Sequence, residues 1–213
     1  MRYIVVALSS EASVFINSFK LKLIEKKPFK IYKNNDTFLV VSGIGSINSA
    51  IATTYLLTKY SAKEDDFILN IGLAASSFEC EIGDVFSISK VIKHENSSII
   101  KLNGEKKLTT FSTPQNSKVV KNSLIDMEGY GFAKAAVKFS KNVKILKVVS
   151  DFCEDRILEK VEVERLMKKV LEYNLKKEKL NNSFIGILDG KIGNIDYKEL
   201  KREYHEKCYS NRS

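Results

Sequence analysis

The sequence predicts an α/β fold of three layers, a central, mostly parallel but mixed β-sheet flanked by helices. Three observations lead there. Short continuous apolar runs, Tyr3–Leu8 (YIVVAL), Phe67–Ile71 (FILNI) and Val143–Val149 (VKILKVV), suit strands buried on both faces. These runs alternate with segments of helical spacing, as a sheet with crossover helices requires. No internal repeat or low-complexity linker divides the chain, so residues 1–179 read as one domain and 180–213 as a C-terminal extension that is not a separate domain.

The first strand, Tyr3–Leu8, runs into Ser9-Ser10-Glu11. Either serine can cap a helix, and Ala12, Phe15, Ile16 and Phe19 then recur at helical spacing. Phe29–Lys33 and Thr37–Ser42, joined by Asn34-Asn35-Asp36, read as a hairpin. Ser42-Gly43-Ile44-Gly45-Ser46 breaks the second of these strands and precedes a helix over Ile47–Tyr60. Phe67–Ile71 is a buried strand ending in Gly72-Leu73-Ala74-Ala75-Ser76, and Val85–Val91 is a further strand. Residues 92–118 are polar and turn-rich, a hairpin and a loop. Leu124-Ile125 closes a short strand before a helix over Gly131–Phe139. Val143–Val149 ends in Ser150-Asp151, a long helix covers Ile157–Leu175, and a short polar helix is expected near Tyr197–Lys207.

With 213 residues, 44% hydrophobic and 29% charged, the chain has the composition of an ordinary soluble globular protein. No apolar run approaches the ~20 residues of a membrane helix. The N-terminus carries no small-residue cleavage signal and reads as a strand, not a signal peptide. Cys80, Cys153 and Cys208 are widely spaced, with no CxxC pair and only two histidines, so no metal site is expected and a reducing cytoplasm suits the chain. The net charge of +9 is spread along the sequence. Without a recognition motif it reads as a solvated basic surface and not as a nucleic-acid footprint.

Four polar features fall at strand ends: Glu11, the Gly43-Ile44-Gly45 turn, Asp126-Met127-Glu128, and Ser150-Asp151. In open α/β sheets the ligand crevice lies outside the carboxyl ends of the strands, so the four can converge on one crevice. Each also has a purely structural reading. Glu11 suits the positive end of a helix dipole, and the turn suits any strand-to-helix corner. That turn lacks the third glycine of a dinucleotide fingerprint. Asp126 reads equally as a charge at a strand end, Asp151 as an N-cap, and His94 and His205 as surface residues.

Taken together, Val5–Glu11, Val41–Ser46, Asn70–Ser76 with Ile82–Val85, Asp126–Glu128 and Val149–Asp151 resemble, in order, the nucleoside phosphorylase/nucleosidase superfamily. The similarity is greatest to methylthioadenosine/S-adenosylhomocysteine nucleosidases and futalosine hydrolases, over residues 1 to 175. The resemblance implies a cofactor-free nucleosidase that hydrolyses the N-glycosidic bond of a purine-type nucleoside. It casts Asp151 as the general acid on purine N7 and Glu11 as the residue that helps activate water. Glu128 would hold the ribose diol and Met127 would pack beside the sugar. Gly43, Ile44 and Ser150 join the substrate-binding set, with Phe111 as the nearest candidate to stack on the base; a core phenylalanine reads as well there. Leu73 stands where many nucleosidases place a serine, and the 92–122 segment is shorter than usual, supplying less of a base pocket. The 180–213 tail has no family counterpart. A phosphate-dependent phosphorylase and a catalytically reduced binding protein of the same fold are the alternatives. No arginine follows a strand end at a phosphate position, which favours water as nucleophile. The expected partners are a small nucleoside and a further copy of the chain, a dimer first, with neither nucleic acid nor membrane.

Overall fold

The computed structural model describes residues 1–115, 119–154 and 157–178. The expected 180–213 extension lies outside them, and so does the helix expected near Tyr197. In chain order the elements are β1 (Arg2–Val6), α1 (Ser9–Ser18), β2 (Lys22–Glu25), β3 (Lys30–Lys33), β4 (Thr37–Val41), α2 (Ser46–Lys59), β5 (Phe67–Ser76) and β6 (Val85–Lys93). A 3-10 turn (His94–Asn96), β7 (Ile99–Lys101), β8 (Lys106–Thr110), β9 (Leu124–Asp126), α3 (Gly129–Ala136), β10 (Asn142–Asp151) and α4 (Lys160–Glu178) follow.

The strands form one mixed sheet in the order β10-β6-β8-β9-β5-β1-β4-β3-β2, with β7 on β6. β10 also pairs with β5, so the β10-β6-β8-β9-β5 half curls into a closed, barrel-like ring. Parallel pairing joins β1 to β4 and β5, β5 to β10, and β8 to β6 and β9. The other pairings are antiparallel. The apolar core has two layers. Tyr3, Val5, Leu56, Ile68, Phe132 and Ile145 pack on the side of α2 and α3, and Ile4, Val6, Phe15, Leu69, Leu146 and Met167 on the side of α1 and α4. The α/β layering expected from the runs at residues 3, 67 and 143 is present.

Two elements differ from the sequence reading, each for a physical reason. β5 continues to Ser76 instead of stopping at Ile71, because β10 pairs along it from Phe67 to Ala75. Gly72, expected just past the end of the strand, sits within that ladder. β2 was not anticipated. Its Leu23 and Ile24 are 42% and 45% exposed, so this edge strand carries no burial pattern to read.

Candidate functional site

Glu11 lies in the first turn of α1, and its carboxylate reaches back over the end of β1. Oε2 accepts hydrogen bonds from the backbone N–H groups of Ala7 and Leu8, both at 2.9 Å, and Oε1 accepts one from Leu73 at 3.2 Å. The side chain therefore caps α1 and also ties the ends of β1 and β5 together. It is buried, and that burial pushes its pKa up against the opposing pull of the three amides and of Lys147.

The Gly43-Ile44-Gly45 turn opens α2 from the end of β4. Gly43 and Gly45 have φ of +83° and +101°, a region that side chains rarely tolerate. The turn presents the Gly45 N–H to Glu128, whose Oε1 accepts it at 2.8 Å. Ile44 points outward and is 53% exposed. Glu128 follows β9 and immediately precedes α3. The two helix starts are fixed against each other at Gly131, where a Cβ would fall 1.8 Å from the Ser46 carbonyl oxygen. Burial, then the charge of Asp126, raises the pKa of Glu128, while Lys147 and the Gly45 amide oppose the rise.

Between these acids lies a residue that the sequence reading passed over. Lys147 of β10 forms an ion pair with Asp126 at 2.9 Å, and both side chains are 1% exposed. Asp126 Oδ1 also accepts from the Thr110 hydroxyl at 2.7 Å, and Oδ2 from the Gly129 N–H at 2.8 Å. Burial works against the charge on Lys147, but Asp126, Glu128 and Glu11 outweigh it and hold its pKa above the usual lysine value. A Cβ at Gly72 would lie 3.1 Å from Glu11 Oε1 and 3.3 Å from Lys147 Nζ, so both groups converge above that glycine. A signal was present. Val143, Ile145 and Val149 alternate inward on β10, and Lys147 occupies the same inward register.

Glu11, the glycine turn and Glu128 are thus brought together, with Asp126 and Lys147 added. Met127 is half-buried beside them. Asp151 stands further along, at the end of β10 opposite Ala75. Its Oδ2 accepts from the Ser150 hydroxyl at 2.7 Å and its Oδ1 from the Cys153 N–H at 2.9 Å. It shares no hydrogen bond with Glu11 or Glu128. Phe111 is 4% exposed, in a small apolar cluster with Ile125 and Cys153. One face of its ring is covered by His94, with centroids 4.0 Å apart and planes 23° from parallel. The aromatic candidate is therefore closed in, and His94, read as a surface residue, is exposed and stacks on it.

No family model matches the chain. Among curated proteins, it is 36% identical over 66 residues to a 5'-methylthioadenosine/S-adenosylhomocysteine nucleosidase of Marinomonas sp. (strain MWYL1), covering 30% of this chain and 27% of that protein. It is 39% identical over 71 residues to the nucleosidase of the same description from Staphylococcus carnosus (strain TM300), covering 31% and 30%. These matches span less than a third of the length of the curated relatives. Among solved structures, the 5'-methylthioadenosine/S-adenosylhomocysteine nucleosidase of Helicobacter pylori with butyl-thio-DADMe-Immucillin-A superposes with a TM-score of 0.71 at 16% identity, covering 84% of this chain and 98% of that one. Native futalosine hydrolase of Helicobacter pylori strain 26695 gives 0.70 at 16% identity, covering 84% and 97%. The chain has the fold of these nucleosidases, and its resemblance to the nucleoside phosphorylase/nucleosidase superfamily is borne out.

Proposed function

We propose that the protein is a nucleosidase that hydrolyses the N-glycosidic bond of a purine-type nucleoside, of the methylthioadenosine/S-adenosylhomocysteine or futalosine kind, without a cofactor. The observation that carries this reading is the burial of Glu11 and Glu128 around Gly72 and Gly45, with Lys147 between them. Cleavage passes through an oxocarbenium-like sugar, which needs nearby negative charge, a positioned nucleophile and an acid for the departing base. Glu128 accepts the 2′- and 3′-hydroxyls, with Met127, Gly43 and Ile44 beside the sugar. Glu11 takes a proton from the attacking water. Asp151, supported by Ser150, donates a proton to N7 as the base leaves with the bonding electron pair. Phe111 lies in the apolar wall beyond Asp151.

Hydrolysis is favoured over phosphorolysis by the charge of the crevice. Its buried lysine is already matched by Asp126 and faced by two further carboxylates, which repel phosphate. Arg2 is engaged elsewhere, with Asp36 at 2.6 Å. The protein is further proposed to act in the cytoplasm as a homodimer. The support for a dimer is three exposed isoleucines in the turn before α2 and along its first turns, Ile44, Ile47 and Ile51, exposed by 53%, 76% and 54%. Residues 1–179 are proposed to form the functional domain.

The test is a panel of methylthioadenosine, S-adenosylhomocysteine, adenosine, inosine and futalosine, with and without phosphate, scored by released base. Release without phosphate is expected. Strict phosphate dependence would establish a phosphorylase, and no release from any member would leave a binding protein. Asp151→Asn is expected to lower turnover by about 10²–10⁴-fold with an unchanged melting temperature. Wild-type rates in that variant would remove Asp151 from the general-acid role.

A further inference from the structure

Glu11, Asp126 and Glu128 are three buried acids gathered around one buried lysine. Their hydrogen bonds set them apart. Glu11 uses both oxygens as acceptors, from Ala7 and Leu8 on one side and Leu73 on the other. Asp126 does the same, with Thr110, Gly129 and Lys147 as donors. The Thr110 hydroxyl itself accepts from the Tyr130 N–H at 2.9 Å, so its own proton is committed to Asp126. Both oxygens of each of these two acids are thus already occupied by donors from within the protein.

Glu128 differs. Oε1 accepts from Gly45, and among the described residues Oε2 has no hydrogen-bond partner. Nor is Oε2 among the sealed atoms that lack one, so it is not sealed off from solvent. The groups facing Glu128 are Glu11 from α1, Asp126 from β9, Lys147 from β10 and the Gly45 amide at the start of α2. Two carboxylates and one ammonium already leave a net negative charge there. A third buried negative charge is disfavoured unless new donors accompany it.

We infer that Glu128 carries a proton on Oε2 in the empty site and releases it to solvent when a vicinal diol binds. The diol supplies two O–H donors to a group that can accept both only as a carboxylate. The balance is simple: Glu128–COOH plus nucleoside gives the carboxylate–diol complex and one proton in the buffer. Burial and the Asp126 charge act in this direction on Glu128. The inference rests on the nucleosidase reading above and adds a protonation step to it.

Two consequences can be measured. Below the pKa of Glu128 in the empty protein, affinity for a diol ligand rises about tenfold per pH unit and then levels off. A ligand without the diol shows no such dependence from this group. The experiment is titration calorimetry of the full chain at intervals from pH 5 to 8, in buffers of different ionisation enthalpy. The probes are carbon-linked analogues of methylthioadenosine, adenosine and inosine, whose base–sugar bond does not hydrolyse. Their 2′,3′-dideoxy counterparts and the Glu128→Gln variant serve as controls.

Proton release that shrinks as pH rises, absent from both controls, is the expected result. Binding with the same enthalpy in every buffer across the range would overturn proton release while leaving the nucleoside reading intact. Equal release from the dideoxy ligands, or from Glu128→Gln, would place the proton on another group and overturn it as well. No binding by any analogue would refute the nucleoside reading and this inference together.

Discussion

Removing the charge on Lys147 while keeping its bulk, as Lys147→Met, is expected to destabilise the fold strongly. Asp126 and Lys147 are each 1% exposed and 2.9 Å apart, so solvent cannot take the place of the lost partner. Breaking a buried pair from one side typically costs about 3–5 kcal/mol, because it strands the other charge. Asp126 retains the Thr110 and Gly129 donors, which puts the expectation near the lower end, about 3 kcal/mol. For a chain of this length that corresponds to a fall of roughly 6–12 °C in melting temperature. The assay is urea unfolding with the m-value checked for constancy, beside scanning calorimetry, at pH 7.5. The companion Lys147→Met/Asp126→Asn removes both charges and is expected to recover to within about 1 kcal/mol of wild type. A single variant within about 0.5 kcal/mol of wild type would refute the argument, since only exposed pairs are worth so little. A double variant no better than the single would do so too.

Two further expectations concern the same crevice. A carboxyl whose folded pKa is raised binds more protons folded than unfolded, so its contribution to stability falls as pH rises from the unfolded value of about 4.3 through the folded one. Glu128 and Glu11 are both such groups. Glu128→Gln keeps an acceptor for Gly45 and is expected to stabilise the protein by about 1 kcal/mol at pH 7.5 and by nothing near pH 4, read as a melting-temperature gain that grows with pH; a variant less stable than wild type at pH 7.5 would contradict it. Separately, Ile47→Glu with Ile51→Lys is expected to convert a dimer to a monomer in sedimentation velocity without changing the circular dichroism spectrum. A wild-type protein that is monomeric at assay concentration would remove the oligomer proposal.

Much of this was legible from residue order. The apolar runs at Tyr3, Phe67 and Val143 announced the buried centre of the sheet, because continuous β-branched segments leave few other options. Glu11 and Glu128 stood out as acids at the ends of buried strands. Asp126 and Lys147 were harder. A strand-end aspartate is common, and a lysine in an apolar run is usually a residue on the outward face. Only the inward register of β10, fixed by its pairing with β5, turns Lys147 toward the acids. The closure of Phe111 under His94 was not legible either. It depends on the 3-10 turn at residues 94–96 meeting the end of β8, a long-range contact with no periodic trace. β2 was invisible because an exposed edge strand is held by its neighbour's hydrogen bonds and not by burial.

The close approach of Gly131 to the Ser46 carbonyl has a consequence for the proposed function. With no side chain between them, the starts of α2 and α3 abut as a single rigid block, and Gly45 and Glu128 ride on it together. Under the nucleosidase proposal, that block sets the spacing of the groups assigned to the sugar, Gly45 and Glu128. Adjustment is left to the far end, around Asp151 and Phe111, which hangs from separate strands. Under the same proposal, changes there would refit the base end while the groups assigned to the ribose stay where they are.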